Sequence, residues 1–190
     1  MNDSYAVAVI APNDNGVTGV VKFTDESDLL HIDYEIAGLT NGEHGFHIHE
    51  FGDLTDGCDS ACAHFNPDNK EHGSLTSETR HLGDLGNITS KNSVSKGRIS
   101  TKTLSLNGAK KNCITGRMII VHADRDDLGQ GGDAESLKTG NAGKRVGCGV
   151  IGLSENPNQE MKSEDFKDSL SYIGFGVLLG ALSGFLISKI

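Results

Sequence analysis

Residues 44–50 are His-Gly-Phe-His-Ile-His-Glu, and most of the other distinctive segments of the chain follow this stretch. Side chains alternate between the two faces of a β-strand, so a strand here places His47 and His49 on one face and Phe46 and Ile48 on the other. Two imidazoles spaced roughly 6–7 Å apart along one face can bind a single metal ion between them. A His-x-His pair is also typical of an ordinary surface strand, so it predicts a metal site only together with further ligands.

Further candidate ligands follow this pair along the chain. They are, in chain order, His64, His72, His81, Asp84 and His122. Six histidines and one aspartate exceed the four ligands of a tetrahedral ion, and they suit two ions that share one ligand. Imidazole binds both copper and zinc, whereas a set of three histidines and one aspartate favours zinc. His44, on the opposite face of the strand, is expected to make structural hydrogen bonds instead.

Short segments of alternating apolar and polar residues predict β-strands through the first 153 residues. Such strands are expected over residues 5–11, 17–23, 29–37, 98–106 and 145–153, and the apolar run in residues 115–121 predicts a buried strand that ends at His122. Residues 51–86 and 124–143 are polar and lack this periodicity, so they predict two long loops of the kind that carry function. The pattern therefore predicts an all-β fold, an antiparallel sandwich or barrel of eight strands.

Six motifs, five of which contain the candidate ligands, resemble the copper/zinc superoxide dismutases, with ligand order and spacing preserved over about residues 5–153. The motifs are GFHIHEFGD (45–53), HFNP (64–67), EHG (71–73), RHLGDLGN (80–87), VHADRDDLGQGG (121–132) and TGNAGKRVGCGVIG (139–152). The resemblance implies a Greek-key arrangement of the eight strands. It also implies an oxidoreductase that converts superoxide to dioxygen and hydrogen peroxide by copper redox cycling, with a histidine bridge supported by zinc.

The resemblance further implies a role for each ligand. The copper set is His47, His49, His64 and His122, and the zinc set is His64, His72, His81 and Asp84. His64 would bridge the two ions as a deprotonated imidazole, which two cations on its two nitrogens make accessible. Asp126 matches the family's aspartate that orients one copper histidine and one zinc histidine.

The resemblance implies a cationic channel for an anionic substrate, although the chain has a net charge of −9. Arg145 matches the family's channel arginine and, with His64, is the expected catalytic residue. Lys138 and Thr139 match positions at the channel rim, whereas Lys144 is a neighbouring cation that we expect to face away. Cationic channel walls raise the association rate of an anion by about 10–10³. The acidic balance argues against nucleic acid as a partner, because nucleic acid requires a basic surface.

The four cysteines are interpreted through the same resemblance. Cys58 and Cys148 match the family's intramolecular disulfide, which would tie the first long loop to the last strand and hold Arg145 in place. Cys62 and Cys113 are expected to be free thiols. Because Cys62 lies four residues from Cys58, its pairing with Cys148 is an open alternative.

The remaining sequence predicts attachment to a membrane. We expect an enzyme domain in residues 1–153, a polar linker in residues 154–168 and a C-terminal transmembrane helix, a tail anchor, in residues 169–190. A helix of about 20 uncharged residues spans the ~30 Å hydrocarbon core of a bilayer. Residues 1–5 show no secretory signal, so the enzyme domain is expected to face the cytoplasm, and the sequon at residues 87–89 is expected to be unmodified. Whether the membrane belongs to a cell or to a virion stays open.

The expected partners are superoxide, a second copy of the chain, the lipid bilayer and a copper-delivery protein. The dimer contact implied by the resemblance involves Phe51, Gly52 and residues 150–152. Two other classes of function stay open: a metal-binding module without turnover, and a membrane-tethered interaction protein that keeps the sandwich as a scaffold. The presence of every expected ligand, without a Cys-x-Cys metal-transfer motif, favours the enzyme.

Overall fold

Nine β-strands lie within residues 3–156, the part of the chain that this computed structural model describes. The strands are β1 (Ser4–Ile10), β2 (Thr18–Glu26), β3 (Leu29–Ala37), β4 (Gly42–His49), β5 (Asp84–Ser90), β6 (Val94–Thr101), β7 (Met118–His122), β8 (Arg145–Val150) and β9 (Gly152–Ser154). A single 3₁₀ turn, Asp59–Ala61, lies in the first long loop, and a short helix α1, Ser136–Thr139, lies in the second.

The strands form a sandwich of two sheets, and all paired neighbours are antiparallel. One sheet has the order β6-β3-β2-β1-β9, and the other has the order β5-β4-β7-β8. The chain changes sheets at the β3–β4, β5–β6, β6–β7 and β8–β9 connections, so elements distant in sequence become neighbours. The predicted all-β antiparallel sandwich is therefore confirmed.

The core lies between the two sheets and includes both apolar residues of the opening stretch. Phe46 and Ile48 are fully buried there, and the ring of Phe46 packs 5.5 Å from that of Tyr34. His47 and His49 are also buried, but they project from the opposite face of β4. Strand β4 thus supplies the core with one face and the candidate site with the other.

The prediction of eight strands is wrong by one, because residues 145–153 form two strands in different sheets. The division falls at Ile151, whose N–H donates to the carbonyl of Arg117 at 2.8 Å and whose carbonyl accepts from Gly116 N–H at 2.8 Å. Ile151 belongs to neither strand ladder, and its side chain is fully buried. The chain therefore crosses from one sheet to the other at this residue.

Several strand boundaries also differ from the prediction, including the end of β6, which lies at Thr101 and not at residue 106. Strand β5 begins at Asp84, inside the segment predicted as a loop. Strand β6 begins at Val94 and not at residue 98, because Asn92 and Ser93 have φ angles of 52° and 62° and close a tight two-residue hairpin. Positive φ at both central residues is the geometry that joins twisted strands directly.

Within residues 3–156, no helix is both long and apolar enough to cross a membrane. The predicted transmembrane helix over residues 169–190 and nearly all of the predicted linker over residues 154–168 lie outside the described residues.

Candidate metal centre

The first histidine cluster joins residues from three parts of the chain. His47 and His49 lie on β4, His122 ends β7, and His64 comes from the first long loop, where its backbone bridges to that of His49. The candidate ligand atoms of these four residues lie within 4.8 Å of one another, and each residue is buried. This is the set that the sequence predicts for copper.

Each histidine of this cluster has one ring nitrogen with a partner. The contacts are His47 Nε2 to Asp126 Oδ2 (2.8 Å), His49 Nδ1 to the Cys62 carbonyl (2.9 Å), His122 Nδ1 to the Gly143 carbonyl (3.0 Å) and His64 Nδ1 to Asp84 Oδ1 (2.8 Å). These contacts fix the ring orientations, as outer partners do in metal sites.

The other ring nitrogen of each histidine is buried and finds no hydrogen-bond partner among residues 3–156. These atoms are Nδ1 of His47 and Nε2 of His49, His64 and His122. Buried polar atoms without partners are rare and costly, so four in one cluster require an explanation. Imidazole is a good copper ligand, and four convergent ring nitrogens fit one such ion.

The second cluster surrounds a single carboxylate oxygen. Oδ1 of Asp84 lies 2.8 Å from His64 Nδ1, 3.0 Å from His72 Nδ1 and 3.2 Å from His81 Nδ1. The ring nitrogens of His64 and His81 are 3.4 Å apart. Ligands of a tetrahedral zinc ion lie roughly 3.3–3.4 Å from one another when each is 2.0–2.1 Å from the metal. The donor types and their spacing therefore fit zinc.

Asp126 connects the two clusters from the second long loop. Its Oδ2 accepts from His47 of the first cluster and its Oδ1 from His72 of the second, both at 2.8 Å. A Cβ on Gly140 would collide with Asp126 Oδ1 and with His72 Nε2, and Gly140 also has a φ of +65°. Only glycine suits this position, so the loop backbone can approach the carboxylate closely.

The charges of the second cluster are strongly coupled. Burial lowers the pKa of His72, but the carboxylates of Asp126 and Asp84 outweigh burial and raise that pKa to about 9. Burial raises the pKa of Asp84, yet its close contacts with the rings of His64, His72 and His81 hold that pKa well below its usual range. Protons therefore compete with a metal for His72, whereas Asp84 stays ionised and available.

The first cluster is instead kept neutral. Burial lowers the pKa of His122 to about 4, with contributions from His64 and from the charge of Arg145. Burial, His64 and Arg145 also lower the pKa of His49 far below its usual range. Neutral imidazole is the form that ligates a metal.

Arg145 lies at the cleft over the first cluster. Its Nη1 donates to the carbonyls of Cys58 at 2.7 Å and Asp59 at 3.0 Å, and its Nη2 donates to the carbonyl of Cys62. The Cys62 carbonyl also accepts from His49. The guanidinium is thus fixed by the turn that holds one candidate copper ligand.

The cleft has a volume of about 890 Å³ and is lined by His49, His64, His122 and Arg145 together with residues of both long loops. Lys138 and Thr139, which the resemblance implies at a channel rim, are among the residues that line the cleft. Lys144 is exposed and is not a lining residue, which agrees with its predicted orientation.

Cys58 and Cys148 form a disulfide, and Cys62 and Cys113 are free. The disulfide joins the 3₁₀ turn of the first loop to β8, the strand that begins with Arg145. The alternative pairing of Cys62 with Cys148 is not the one that the structure adopts.

Sequence reasoning missed the role of Asn87, which it noted only as a sequon. Its side chain donates to the carbonyl of Asp126 and accepts from the N–H of Asp126, both at 2.8 Å. It therefore holds the backbone of the residue that connects the clusters. The structural role expected for His44 agrees with its contacts, since its ring nitrogens lie 2.9 Å from the carbonyls of His122 and Thr40.

These two clusters, sharing His64 and opening to a cleft beside a fixed arginine, define a β-sandwich metalloprotein with two adjoining sites. The family model described as copper/zinc superoxide dismutase (SODC) matches residues 17–151. The chain therefore belongs to the copper/zinc superoxide dismutase family. It is an oxidoreductase that acts on superoxide and uses copper and zinc as cofactors.

Curated relatives agree with this assignment. A Cu-Zn superoxide dismutase of Paramecium bursaria Chlorella virus 1 is 54% identical over 157 residues, which cover 82% of this chain and 83% of that protein. The Cu-Zn superoxide dismutase of Saccharomyces cerevisiae is 54% identical over 153 residues, 78% of this chain and 97% of that protein. An extracellular Cu-Zn superoxide dismutase of Brugia pahangi is 50% identical over 153 residues, 78% of this chain and 76% of that protein.

Loss of the disulfide should destabilise the fold measurably. The bond spans 90 residues, so Cys148→Ser is expected to lower the free energy of unfolding by about 2–5 kcal/mol, chiefly because the unfolded chain regains freedom. Denaturant unfolding of the metal-free proteins measures this change. Cys62→Ser is the matched control, because Cys62 is exposed and its carbonyl contacts do not depend on the thiol. An equal loss in both variants would contradict the prediction.

Proposed function

We propose that copper binds to His47, His49, His64 and His122, and that zinc binds to His64, His72, His81 and Asp84. The orientation of His64 carries this proposal. Its Nδ1 faces Asp84 at 2.8 Å, while its buried Nε2 lacks a partner within residues 3–156 and belongs to the other cluster. One imidazole can therefore serve both ions.

When bound, copper supplies the exchange of single electrons with superoxide, and zinc supplies a fixed positive charge that keeps the second cluster ordered. Arg145 attracts superoxide into the cleft and orients it beside the copper ligands. Lys138 and Thr139 shape the rim through which the anion enters. His64 can hold a proton at Nε2 and donate it to the peroxide product. Asp126 keeps His47 and His72 in their ligating orientations.

The charge of Arg145 is well suited to this role because the side chain is immobilised. Three backbone carbonyls bind its two terminal nitrogens, so no carboxylate neutralises it through these contacts. A fixed cation that is not paired with an acid exerts a stronger local field than a flexible surface lysine. The cleft can therefore favour an anion on a protein with a net charge of −9.

Metal removal and reconstitution test the two-metal proposal. Chelation is expected to abolish superoxide consumption, zinc alone should not restore it, and copper with zinc should. Elemental analysis should find one copper and one zinc per chain, because the ligands form two sets that share His64. The substitution His64→Gln should alter the electron paramagnetic resonance spectrum of the bound cupric ion. One ion per chain would contradict the proposed ligand sets, and binding without turnover would favour a metal-binding module.

Replacement of Arg145 tests the steering proposal. Arg145→Gln is expected to lower kcat/KM for superoxide by about tenfold and to weaken its dependence on ionic strength, because the cleft loses its fixed cation. Pulse radiolysis at several salt concentrations measures both effects. Lys144→Gln removes an adjacent exposed charge outside the cleft and should change the rate little. Similar losses in both variants would mean that overall charge, and not the position of Arg145, controls association.

Two partners are proposed besides superoxide. A homodimer contact near Phe51 and Gly52 is supported by the 54% exposure of the Phe51 side chain, although Ile151 is buried in the core of its own chain and offers no contact surface. A copper-delivery protein is proposed because His47, His49 and His122 are at most 4% exposed, which hinders direct capture of the ion.

We also propose that residues 169–190 anchor the enzyme to a membrane with its catalytic domain in the cytoplasm. The support is the uncharged stretch from Ser169 to Ser188, which has the length of a membrane span. The full chain should therefore float with lipid vesicles in a density gradient, whereas a chain ending at Asn156 should stay at the bottom with equal activity per copper. Equal behaviour of the two chains in the gradient would contradict the anchor.

A further inference from the structure

Arg80 is a buried cation that the proposed reaction does not use. It is only 6% exposed and immediately precedes His81, a candidate zinc ligand. Within residues 3–156, the ion pairs that involve arginine belong to Arg98, Arg117 and Arg125, so no carboxylate pairs with Arg80. A buried charge without an ion-pair partner is costly, and it is retained only where its hydrogen bonds compensate.

The hydrogen bonds of Arg80 converge on one turn. Nη1 donates to the carbonyl of His81 at 2.7 Å and to that of Leu82 at 3.2 Å. Residues 81–84 form this turn, with candidate zinc ligands at both ends. The bond that closes the turn, from Asp84 N–H to the His81 carbonyl, is long at 3.3 Å. Arg80 therefore makes a shorter bond to this carbonyl than the turn itself does.

The other end of the guanidinium reaches Thr103, two residues beyond the end of β6. Nη2 donates to Thr103 Oγ1 at 2.6 Å, and Thr103 Oγ1 lies 2.8 Å from Thr101 Oγ1. Thr101 is the last residue of β6, in the five-stranded sheet. The planar donor fork of Arg80 thus ties the turn that carries His81 and Asp84 to a strand outside the metal centre.

The charge of Arg80 interacts favourably with the carboxylate of Asp84, but this interaction does not explain the hydrogen bonds of Arg80 to the turn. A cation close to a zinc site repels the incoming ion, so a guanidinium that acted by charge alone would weaken binding. Its geometry has the opposite effect, because ligands held at the binding spacing before the metal arrives lose less freedom on binding. The distance of 3.2 Å between His81 Nδ1 and Asp84 Oδ1 is already close to that spacing.

We propose that Arg80 is a positioning residue for the zinc site, and that its guanidinium holds the turn of residues 81–84 against β6 so that His81 and Asp84 are preorganised for the metal. This inference rests on the zinc ligand set proposed above. It assigns Arg80 no contact with substrate or metal, and its effect passes entirely through the two ligands.

Cobalt(II) in place of zinc provides the test, because its visible absorption bands report the geometry of the ligands. Arg80→Lys keeps the charge but loses the fork, Arg80→Gln loses both, and Thr103→Val removes only the anchor on the far side. In the full chain, both Arg80 variants are expected to bind zinc and cobalt about tenfold more weakly, as is common when outer partners of metal ligands are lost. Thr103→Val should produce a smaller loss, and the cobalt bands should change in all three variants while copper affinity does not.

Arg98→Lys is the matched control. The guanidinium of Arg98 donates through Nε and Nη2 to the carboxylate of Asp33 at 2.6 Å and 2.8 Å, and neither residue belongs to the candidate zinc set. This variant also exchanges a donor fork for an ammonium group, and it is expected to keep the zinc affinity and the cobalt spectrum of the unaltered chain. A general effect of the exchange is thereby separated from a specific effect on the zinc site.

The outcomes are distinguishable. If the unaltered chain binds no cobalt at the candidate zinc ligands, the proposed ligand set fails, and with it the inference. If it binds cobalt and the Arg80 and Thr103 variants match it in affinity and spectrum, the role of Arg80 alone is refuted. An unchanged Arg80→Lys beside a weakened Arg80→Gln would also refute it, since charge and not the fork would then matter. If the Arg80 variants do not fold, Thr103→Val decides the question by itself.

Discussion

The position of His64 between the two ligand sets is the constraint on which the metal centre depends. An imidazole ring has its two nitrogens on different sides, and here Nδ1 of His64 faces Asp84 while Nε2 faces the other histidines of the first cluster. Backbone bonds hold this ring in place. Phe65 N–H donates to the carbonyl of Ile48 at 2.8 Å, and Gly83 N–H donates to the carbonyl of Phe65 at 2.9 Å. The part of the first loop that contains His64 and Phe65 therefore pairs with β4 as an additional strand would.

The two long loops contain little regular structure. Hydrogen bonds made by side chains of the site hold them in place, as strand pairing does elsewhere in the fold. Asp126 of the second loop contacts His47 on β4 and His72 in the first loop, and Asn87 on β5 holds the backbone of Asp126. The disulfide and Arg145 connect the first loop to β8. Metal binding would thus stabilise both loops together, because ligands from each converge on one centre.

An acidic protein would repel an anionic substrate unless positive charge were concentrated at the cleft, so the positions of the charged side chains matter. On the outer surfaces, basic side chains pair with carboxylates, as in Lys96 with Glu35 and Arg98 with Asp33. Arg145 instead uses its donors on backbone carbonyls and forms no ion pair within the described part of the chain. In the proposed function, its charge would therefore act on the cleft and not on a neighbouring acid.

The sequence by itself determined the residues whose chemistry is restrictive. Few side chains bind copper or zinc, so the histidines and Asp84 could be recognised from type and spacing, and alternation predicted most strands because one face of each is buried. Only the tertiary structure decided the division of the last strand at Ile151 and the contacts of Asn87 and Arg80. Apart from the bond of Arg80 to the Thr103 hydroxyl, the contacts of these two side chains are with backbone groups that any residue possesses, as is the bond of Arg145 to the Cys62 carbonyl 83 positions away. Because every residue has a backbone carbonyl, the sequence does not show which carbonyl accepts a given hydrogen bond. The partner is known only from the folded structure, in which the two segments lie together.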